Sequence, residues 1–364
     1  MKDNINIINI SINEFIDKIV ADDRLISHSI NYKTIEALRN NPSMCSLDDI
    51  CQIVAINDKE VIGATNCFVN KILIDNKKHN VQSGFFLYTD EKYRKLSVGA
   101  DIMIKFKNLG QCEDIVLAGI SQMALPLYKA LKYKIFKFPR FILLKKSRVV
   151  LESVLKVNGL TLRGLSILGD LCLMMHNTLL DVYIKIKNKG LTIEKVNEVP
   201  DIIEDIIMKD KHKYKECHDK EWFEWNLKYT FSSDERNKKE LYVIKKKGDI
   251  IGFFVTKIEF HTEAGAGKFH NIFLGSVMEW GSIDETKYTE EMIQLSAIAA
   301  FPNYVDGVQF ASNDTNTQKK FKSLGFFSAG YANMALFFRS IKDKAINDIN
   351  NWRIRLSAGD TLIN

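Results

Sequence analysis

The order of elements in this chain is written twice, and that repetition limits the folds open to it more than any single motif does. In the first pass Asn6–Ile10 alternates as a strand, and Ser11 opens a helix over Ile12–Val20, with Glu14 placed to complete a capping box. Ile50–Ile56 and Val61–Ile74 form a hairpin across Asn57-Asp58-Lys59-Glu60. Val81–Thr89 is a strand and Ala100–Asn108 a helix; strand Asp114–Gly119, helix Met123–Leu131 and strand Phe138–Leu144 follow. The second pass opens with strand Leu191–Val196, a helix over Pro200–Lys209 and another over Trp222–Tyr229. A hairpin of Glu240–Lys246 with Ile250–His261, strand Asn271–Trp280 and helix Tyr288–Ala300 come next. Gly307–Ala311, Thr315–Leu324 and Met334–Arg339 close it as strand, helix, strand. Neither pass has the βαβ alternation of a doubly wound parallel sheet, so the class is α+β.

The chain of 364 residues is long enough for two ordinary domains. We divide it into a first domain, 1–147, a helical connector, 148–190, a second domain, 191–340, and a C-terminal tail, 341–364. The connector holds the nearest thing to a membrane segment, Leu160–Ile184. Arg163, Asp170, His176 and Asp181 interrupt it, which is the pattern of buried or amphipathic helices, and no integral membrane segment is expected. The first five residues lack a basic stretch followed by an apolar run, so no signal peptide is expected and the chain is read as cytoplasmic. Six cysteines without CxxC spacing fit free thiols in a reducing compartment. His212, Lys213, His218 and Asp219 lack zinc-site spacing, and no metal is expected. The net charge of +6 comes from scattered lysines rather than a basic block with interleaved aromatics. That argues against nucleic acid and suits a polyanionic small molecule.

A site for such a molecule is written at Tyr93-Arg94-Lys95-Leu96-Ser97-Val98-Gly99, between the apolar run Gly84–Thr89 and the following helix. A helix entered from a small-residue loop leaves its first N–H groups without intrahelical partners, and the helix dipole adds positive potential there. Arg94 and Lys95 add formal charge, a combination that suits a diphosphate.

At these residues the chain resembles the GNAT superfamily of acyl-CoA-dependent N-acyltransferases. The family's acyl-CoA segment has the form Arg/Gln-x-x-Gly-x-Gly/Ala between a strand and a helix. Arg94-Lys95-Leu96-Ser97-Val98-Gly99 fits it, with Ser97 in place of a glycine and Lys95 where glycine is also common. Both replacements raise the steric cost if the backbone there needs positive φ. A second family segment, Asn-x-x-Ala-x-x-Leu-Tyr-x-x-Leu-Gly-Phe, is matched by Ala124, Leu127, Tyr128 and Leu131, with Tyr133 for phenylalanine and with Ser121 and Lys132 departing. In the second half only the ending Leu324-Gly325-Phe326 survives, and Asp284 and Glu285 stand where a diphosphate would be repelled.

The resemblance implies two tandem GNAT domains, each a mixed, mostly antiparallel sheet flanked by helices, of which the second no longer binds CoA. Similar tandems occur among mycothiol-synthase-like and aminoglycoside-modifying acetyltransferases, Fem-type aminoacyl transferases and GNAT proteins of bacterial surface-polysaccharide loci. The closing segment Trp352–Asp360 is similar to the tail of the last group. The resemblance also implies the site residues. Phe86, Leu87, Tyr88 and Thr89 supply the cofactor strand, Arg94, Lys95, Leu96, Ser97, Val98 and Gly99 the diphosphate loop, and Ser121 a further cofactor contact. Tyr128 stands at the position that protonates the leaving thiolate, although packing a helix on the sheet would place it equally well. Glu91 is the nearest carboxylate for a general base, and a solvated side chain is its alternative. Tyr88, Asp90 and Ser83 lie close to the same strand, and His28 and His79 are further candidates. Asp219, Trp222 and Trp225 form an acidic, aromatic helix face that reads either as core or as a stacking platform for a sugar or peptide acceptor.

Together these readings imply an acetyl-CoA (or other acyl-CoA) dependent N-acyltransferase acting on a small-molecule amine, such as an amino sugar of surface-polysaccharide synthesis. A non-catalytic tandem binding module is the alternative that the Lys95 and Ser97 departures leave open. A Fem-type transferase using aminoacyl-tRNA would need a basic groove.

Overall fold

Strand β1 (Ile5–Ser11) leads into a helical turn closed by the expected capping box: Glu14 N donates to Ser11 Oγ at 3.2 Å, and Ser11 N to Glu14 Oε2 at 3.1 Å. The structure is a computed structural model that describes residues 5–15, 32–58, 60–153, 159–229, 236–261 and 271–357. The helix expected beyond Phe15, and His28, lie outside them. Helix α1 (Tyr32–Arg39) precedes an antiparallel meander of β2 (Ile50–Asn57), β3 (Glu60–Ile74) and β4 (Lys77–Thr89). Strand β4 begins four residues before the expected Val81. Asp75 and Asn76 both take positive φ, 49° and 62°, and so make the two-residue turn whose twist matches paired strands. Helix α2 (Val98–Lys107), β5 (Ile115–Ala118), α3 (Leu125–Ala130) and β6 (Lys134–Leu144) complete the first half.

Helices α4 (Arg148–Ser153) and α5 (Gly159–Lys187) connect to the second half. There β7 (Leu191–Val196), α6 (Ile202–Met208), β8 (Tyr214–Glu216) and α7 (Lys220–Lys228) precede strands β9 (Lys238–Lys246), β10 (Asp249–His261) and β11 (Ile272–Ser282). Helix α8 (Glu290–Ser296), β12 (Gly307–Ala311), α9 (Thr315–Ser323) and β13 (Phe327–Phe337) repeat the close of the first half.

The halves share one sheet, in the order β1-β2-β3-β4-β5-β13-β6-β12-β11-β10-β9-β7. The last strand of each half is exchanged. From the second half, β13 inserts between β5 and β6: Met334 lies opposite Ala118 on one side and Phe136 on the other, and Ala335 opposite Leu117 and Ile135. In return β6 pairs along its other edge with β12, from Gly307 opposite Leu144 to Ala311 opposite Arg140. Apolar packing follows the same logic: one cluster joins Val54, Phe85 and Phe136 of the first half to Phe253, Leu336 and Trp352 of the second.

Within the segment expected as a tail, residues 352–357 are core, and of 341–351 Ile346 alone is buried. Strand β14 (Trp352–Arg353) lies parallel to β8, which in turn pairs with the end of β3. Trp352, Ile354 and Leu356 alternate into the apolar cluster; Arg353, Arg355 and Ser357 alternate into a buried ionic one. Arg353 donates through Nη2 to Glu279 Oε1 at 2.6 Å and through Nε to Asp210 Oδ2 at 3.0 Å. His218 bridges Glu279, at 2.7 Å, and Glu216, at 3.1 Å. Burial opposes a charge on Glu279, but the Arg353 and His218 charges beside it prevail and hold its carboxyl well below the usual range. The same carboxylates outweigh the burial of His218 and raise its imidazole.

A fragment of residues 1–147 leaves β5 and β6 without β13, and we expect no cooperative thermal transition by circular dichroism unless residues 148–364 are co-expressed with it. Glu279→Gln removes the carboxylate that Arg353 and His218 share, leaving them Asp210 and Glu216, and should cost about 3 kcal/mol in urea unfolding at neutral pH. The Glu279 contribution is present above the ordinary carboxylate pKa and is lost as pH falls through its lowered native value. The His218 contribution is present at low pH and is lost as pH rises through its raised native value.

Candidate functional site

Strands β4 and β5 are paired at one position, Gln82 with Ile115, and then part. The parting begins at a bulge in β4. Opposite β3, Asn66 faces Phe85 and Ala64 faces Tyr88, so Phe86 and Leu87 share the place of one residue, Thr65. Phe86 takes φ 59°, a rare conformation for an aromatic residue, and its side chain is 44% exposed. Strain of this kind survives only where the surrounding structure enforces it. Gly84 stands just before the bulge: a Cβ there would lie 2.8 Å from both Asn66 O and the Phe106 ring, so only glycine lets the strand pass.

The divergence opens a slot of about 330 Å³ between the strands. Phe86, Leu87, Met103, Ile120, Ser121 and Tyr128 are among the residues that line it, and most of its wall is apolar. Tyr128, on α3, is 6% exposed; its ring meets Tyr133 edge-on at 5.4 Å and its hydroxyl lies 3.9 Å from Met103 Sδ. Ser121 Oγ accepts from Ala124 N at 3.3 Å at the start of α3.

Beyond the slot, Glu91–Leu96 form a 3-10 turn capped by Asp90, and Ser97 then turns left-handed, φ 64°, to start α2. The steric cost expected for two missing glycines therefore falls on Ser97 alone, because Lys95 stays in the right-handed turn. Ala100 and Asp101 are the first to donate back into the helix, both to Ser97 O, which leaves Val98 and Gly99 N–H outside the ladder. The Ser97 side chain makes no capping bond. Gly99 packs closely against Thr89, whose Oγ1 would lie 2.9 Å from a Cβ there and would have to turn aside. Arg94 and Lys95 are exposed beside this helix end, and Arg94 Nε donates to Thr89 O at 3.3 Å.

The second half has a cleft of its own, with carboxylates beside it. A cavity of about 610 Å³ lies against the ends of β11, α8 and α9 and is lined by Trp280, Glu285, Glu290, Asp314 and Arg355 among others. Asp284 Oδ1 accepts from Thr286 N at 3.0 Å and Lys287 N at 3.3 Å, so backbone donors before α8 are already satisfied. Thr289 caps α8 itself, accepting from Met292 N at 3.4 Å. Burial pushes the Glu290 carboxyl up to about 7, against the opposing pull of Arg355.

Other candidates fall elsewhere. Glu91 is exposed on the 3-10 turn and does not line the slot; His79 is exposed near the β3–β4 turn. Asp90 caps Lys92 N at 2.9 Å, and Ser83 is buried, donating to Val116 O at 2.9 Å. Tyr88 and Thr89 are half-buried past the slot's lining. The stacking platform is corrected: Trp222 and Trp225 are core residues, 3% and 7% exposed. Trp222 stacks on His218 with ring centres 3.6 Å apart, and Trp225 Nε1 donates to Ala37 O at 2.7 Å. Asp219 caps α7, accepting from Trp222 N at 3.0 Å, and pairs with Lys78 at 2.7 Å. Residues that sequence reasoning missed, Thr65, Gly84, Met103 and Phe106, come from three separate elements and converge only through the fold.

The mixed, mostly antiparallel sheet flanked by helices and parted at a bulge beside a helix N-terminus is a GNAT-type fold, as similarity to solved structures shows. No protein-family model and no curated protein sequence matches it. Among solved structures, N-myristoyltransferase of Saccharomyces cerevisiae with bound myristoyl-CoA matches over 93% of this chain and 83% of its own, with TM-score 0.55 and 12% identity. A GCN5-related N-acetyltransferase from Anabaena variabilis matches over 91% of this chain and 72% of its own, with TM-score 0.53 and 12% identity.

A left-handed serine is the strained element of the loop. Ser97→Gly should raise stability by about 0.5–1 kcal/mol in thermal melts.

Proposed function

We propose that this chain is an acyl-CoA-dependent N-acyltransferase whose first half holds the cofactor. The observation that carries the reading is the slot opened at the β4 bulge beside the α2 N-terminus, where Val98 and Gly99 N–H lie outside the helix ladder and are flanked by Arg94 and Lys95, whereas the carboxylates Asp284, Glu285 and Glu290 stand beside the corresponding end of α8. A diphosphate on Val98 and Gly99 N–H would direct the rest of the cofactor along β4 into the slot. Beyond Gln82 the β4 strand has no ladder with β5, so backbone N–H groups at the bulge, Phe86 and Leu87, can polarise a thioester carbonyl. Tyr128 supplies the proton for the departing thiolate, since a phenol stays neutral at pH 7 and its hydroxyl already sits beside a sulfur, Met103 Sδ.

No carboxylate or imidazole lines the slot among the described residues. The attacking amine must therefore arrive uncharged or lose its proton to a group outside it. Glu91 keeps that role as a proposal, acting through water. We further propose a small amine acceptor, with amino sugars as the first compounds to test, acetyl-CoA as the first donor, and the cytoplasm as the compartment.

Calorimetry with acetyl-CoA and longer acyl-CoA thioesters tests the reading. Binding is expected for the intact chain, with about tenfold weaker affinity in Arg94→Ala and no change in Asp284→Ala. Tyr128→Phe should lower kcat by about a hundredfold while leaving affinity intact. Absence of any heat with every thioester would remove the proposal.

A further inference from the structure

Helix α5 presents the wrong side to the protein. Its polar residues face inward: Asp170 accepts from Ser147 N at 2.6 Å and Ser147 Oγ at 2.8 Å, His176 Nε2 meets Leu324 O at 2.9 Å, and Asn177 Nδ2 donates to Leu144 O at 3.2 Å. Among its large apolar residues, Leu180 and Ile184 are buried. Its outward side is apolar instead, with Ile167, Leu168, Leu171, Met174, Met175 and Leu179 all exposed, Leu179 by 71%. From Gly164 to Leu180 the one residue with a formal charge is Asp170, which is turned inward. The stretch Thr161–Lys187 is only 11% buried over its most apolar window, so of the two readings, buried or amphipathic, the structure favours an amphipathic helix, with inverted polarity. A solvated helix has the opposite arrangement.

The width of this face identifies what covers it. At about 100° per residue, the positions from Met174 through Leu171, Met175 and Leu168 to Leu165 sweep roughly half the circumference of the helix. A partner helix covers a narrow seam, and two-helix packing would leave both flanks in water. A half-circumference arc is the shape buried when a helix lies in the boundary between headgroups and acyl chains. The charges complement such a surface: Arg163 stands at one end and Lys185, Lys187 and Lys189 at the other, against a single outward acid, Asp181. Cations at the rim with an apolar centre suit anionic headgroups around a hydrocarbon floor. The inward hydrogen bonds keep α5 docked on the protein, so the helix lies along a bilayer rather than across it.

We infer that the outward face of α5 seats the intact protein on an anionic lipid surface, as a peripheral contact separate from the slot between β4 and β5. The full chain should co-sediment with vesicles of roughly three parts phosphatidylcholine to one part phosphatidylglycerol, and several-fold less with phosphatidylcholine alone. The triple variant Leu168→Glu, Leu171→Glu, Met175→Glu changes only outward positions; its partitioning should fall by at least about tenfold with an unchanged thermal melt. Lys185→Gln with Lys187→Gln should weaken binding to the anionic vesicles and leave the phosphatidylcholine value unmoved. The inference is overturned if the intact chain stays in the supernatant with both vesicles, or if the triple variant sediments as the parent does. It is equally overturned if light scattering shows a dimer that the triple variant dissolves while vesicles bind neither protein.

Discussion

Strand β13 is hydrogen-bonded along one edge to β5 and along the other to β6, while β6 reaches past it to β12. Neither half can therefore close its own sheet. The strand that flanks the parted β4 and β5 belongs to the second half, so the slot keeps its shape only while both halves are assembled. The C-terminal segment adds a second tie: β14 pairs with β8, β8 pairs with β3, and Arg353 is fixed to Glu279 and Asp210. Breaking such a buried network strands charges that have lost their partners, which makes the tie cooperative with the fold rather than an ornament on it.

Within this shared frame the two clefts differ in the charge beside a feature common to all helix ends, their unsatisfied donors: Arg94 and Lys95 stand beside α2, Glu285 and Glu290 beside α8. In the first half the chain leaves them open and accepts a left-handed serine to do so. In the second half Asp284 caps the preceding loop at Thr286 and Lys287, Thr289 caps Met292, and the carboxylates Glu285 and Glu290 line the cleft.

The loop and Tyr128 were legible because their chemistry is local: a basic loop before a helix, and a tyrosine in register on one helical turn, can be recognised without knowing their neighbours. The Trp222 and Trp225 platform failed for the converse reason. A spacing of three puts two indoles on one helix face, but only packing decides whether that face meets solvent or core, and here His218 and Ala37 close over it. Gly84 was invisible as a site residue and so was the bulge at Phe86, although the strand that carries it was expected, since the need for a missing Cβ or a strained φ arises from Phe106 and Thr65 on other elements. The tail at 341–364 hid its role similarly, because Trp352-Arg353-Ile354-Arg355 alternates like a strand but is too short to say which strand it joins.

By itself the sequence determined the class of fold, the repeated order of elements, most strand and helix positions and the diphosphate-like loop, because periodicity, capping residues and turn chemistry act within a few residues. The tertiary structure alone decided that the repeats exchange their last strands, that the slot opens at a bulge, that the closing segment is core and that α5 turns its apolar side outward. Each of these depends on which surfaces meet across long stretches of chain, and strand pairing, burial and the satisfaction of buried charges are settled only when those surfaces are brought together.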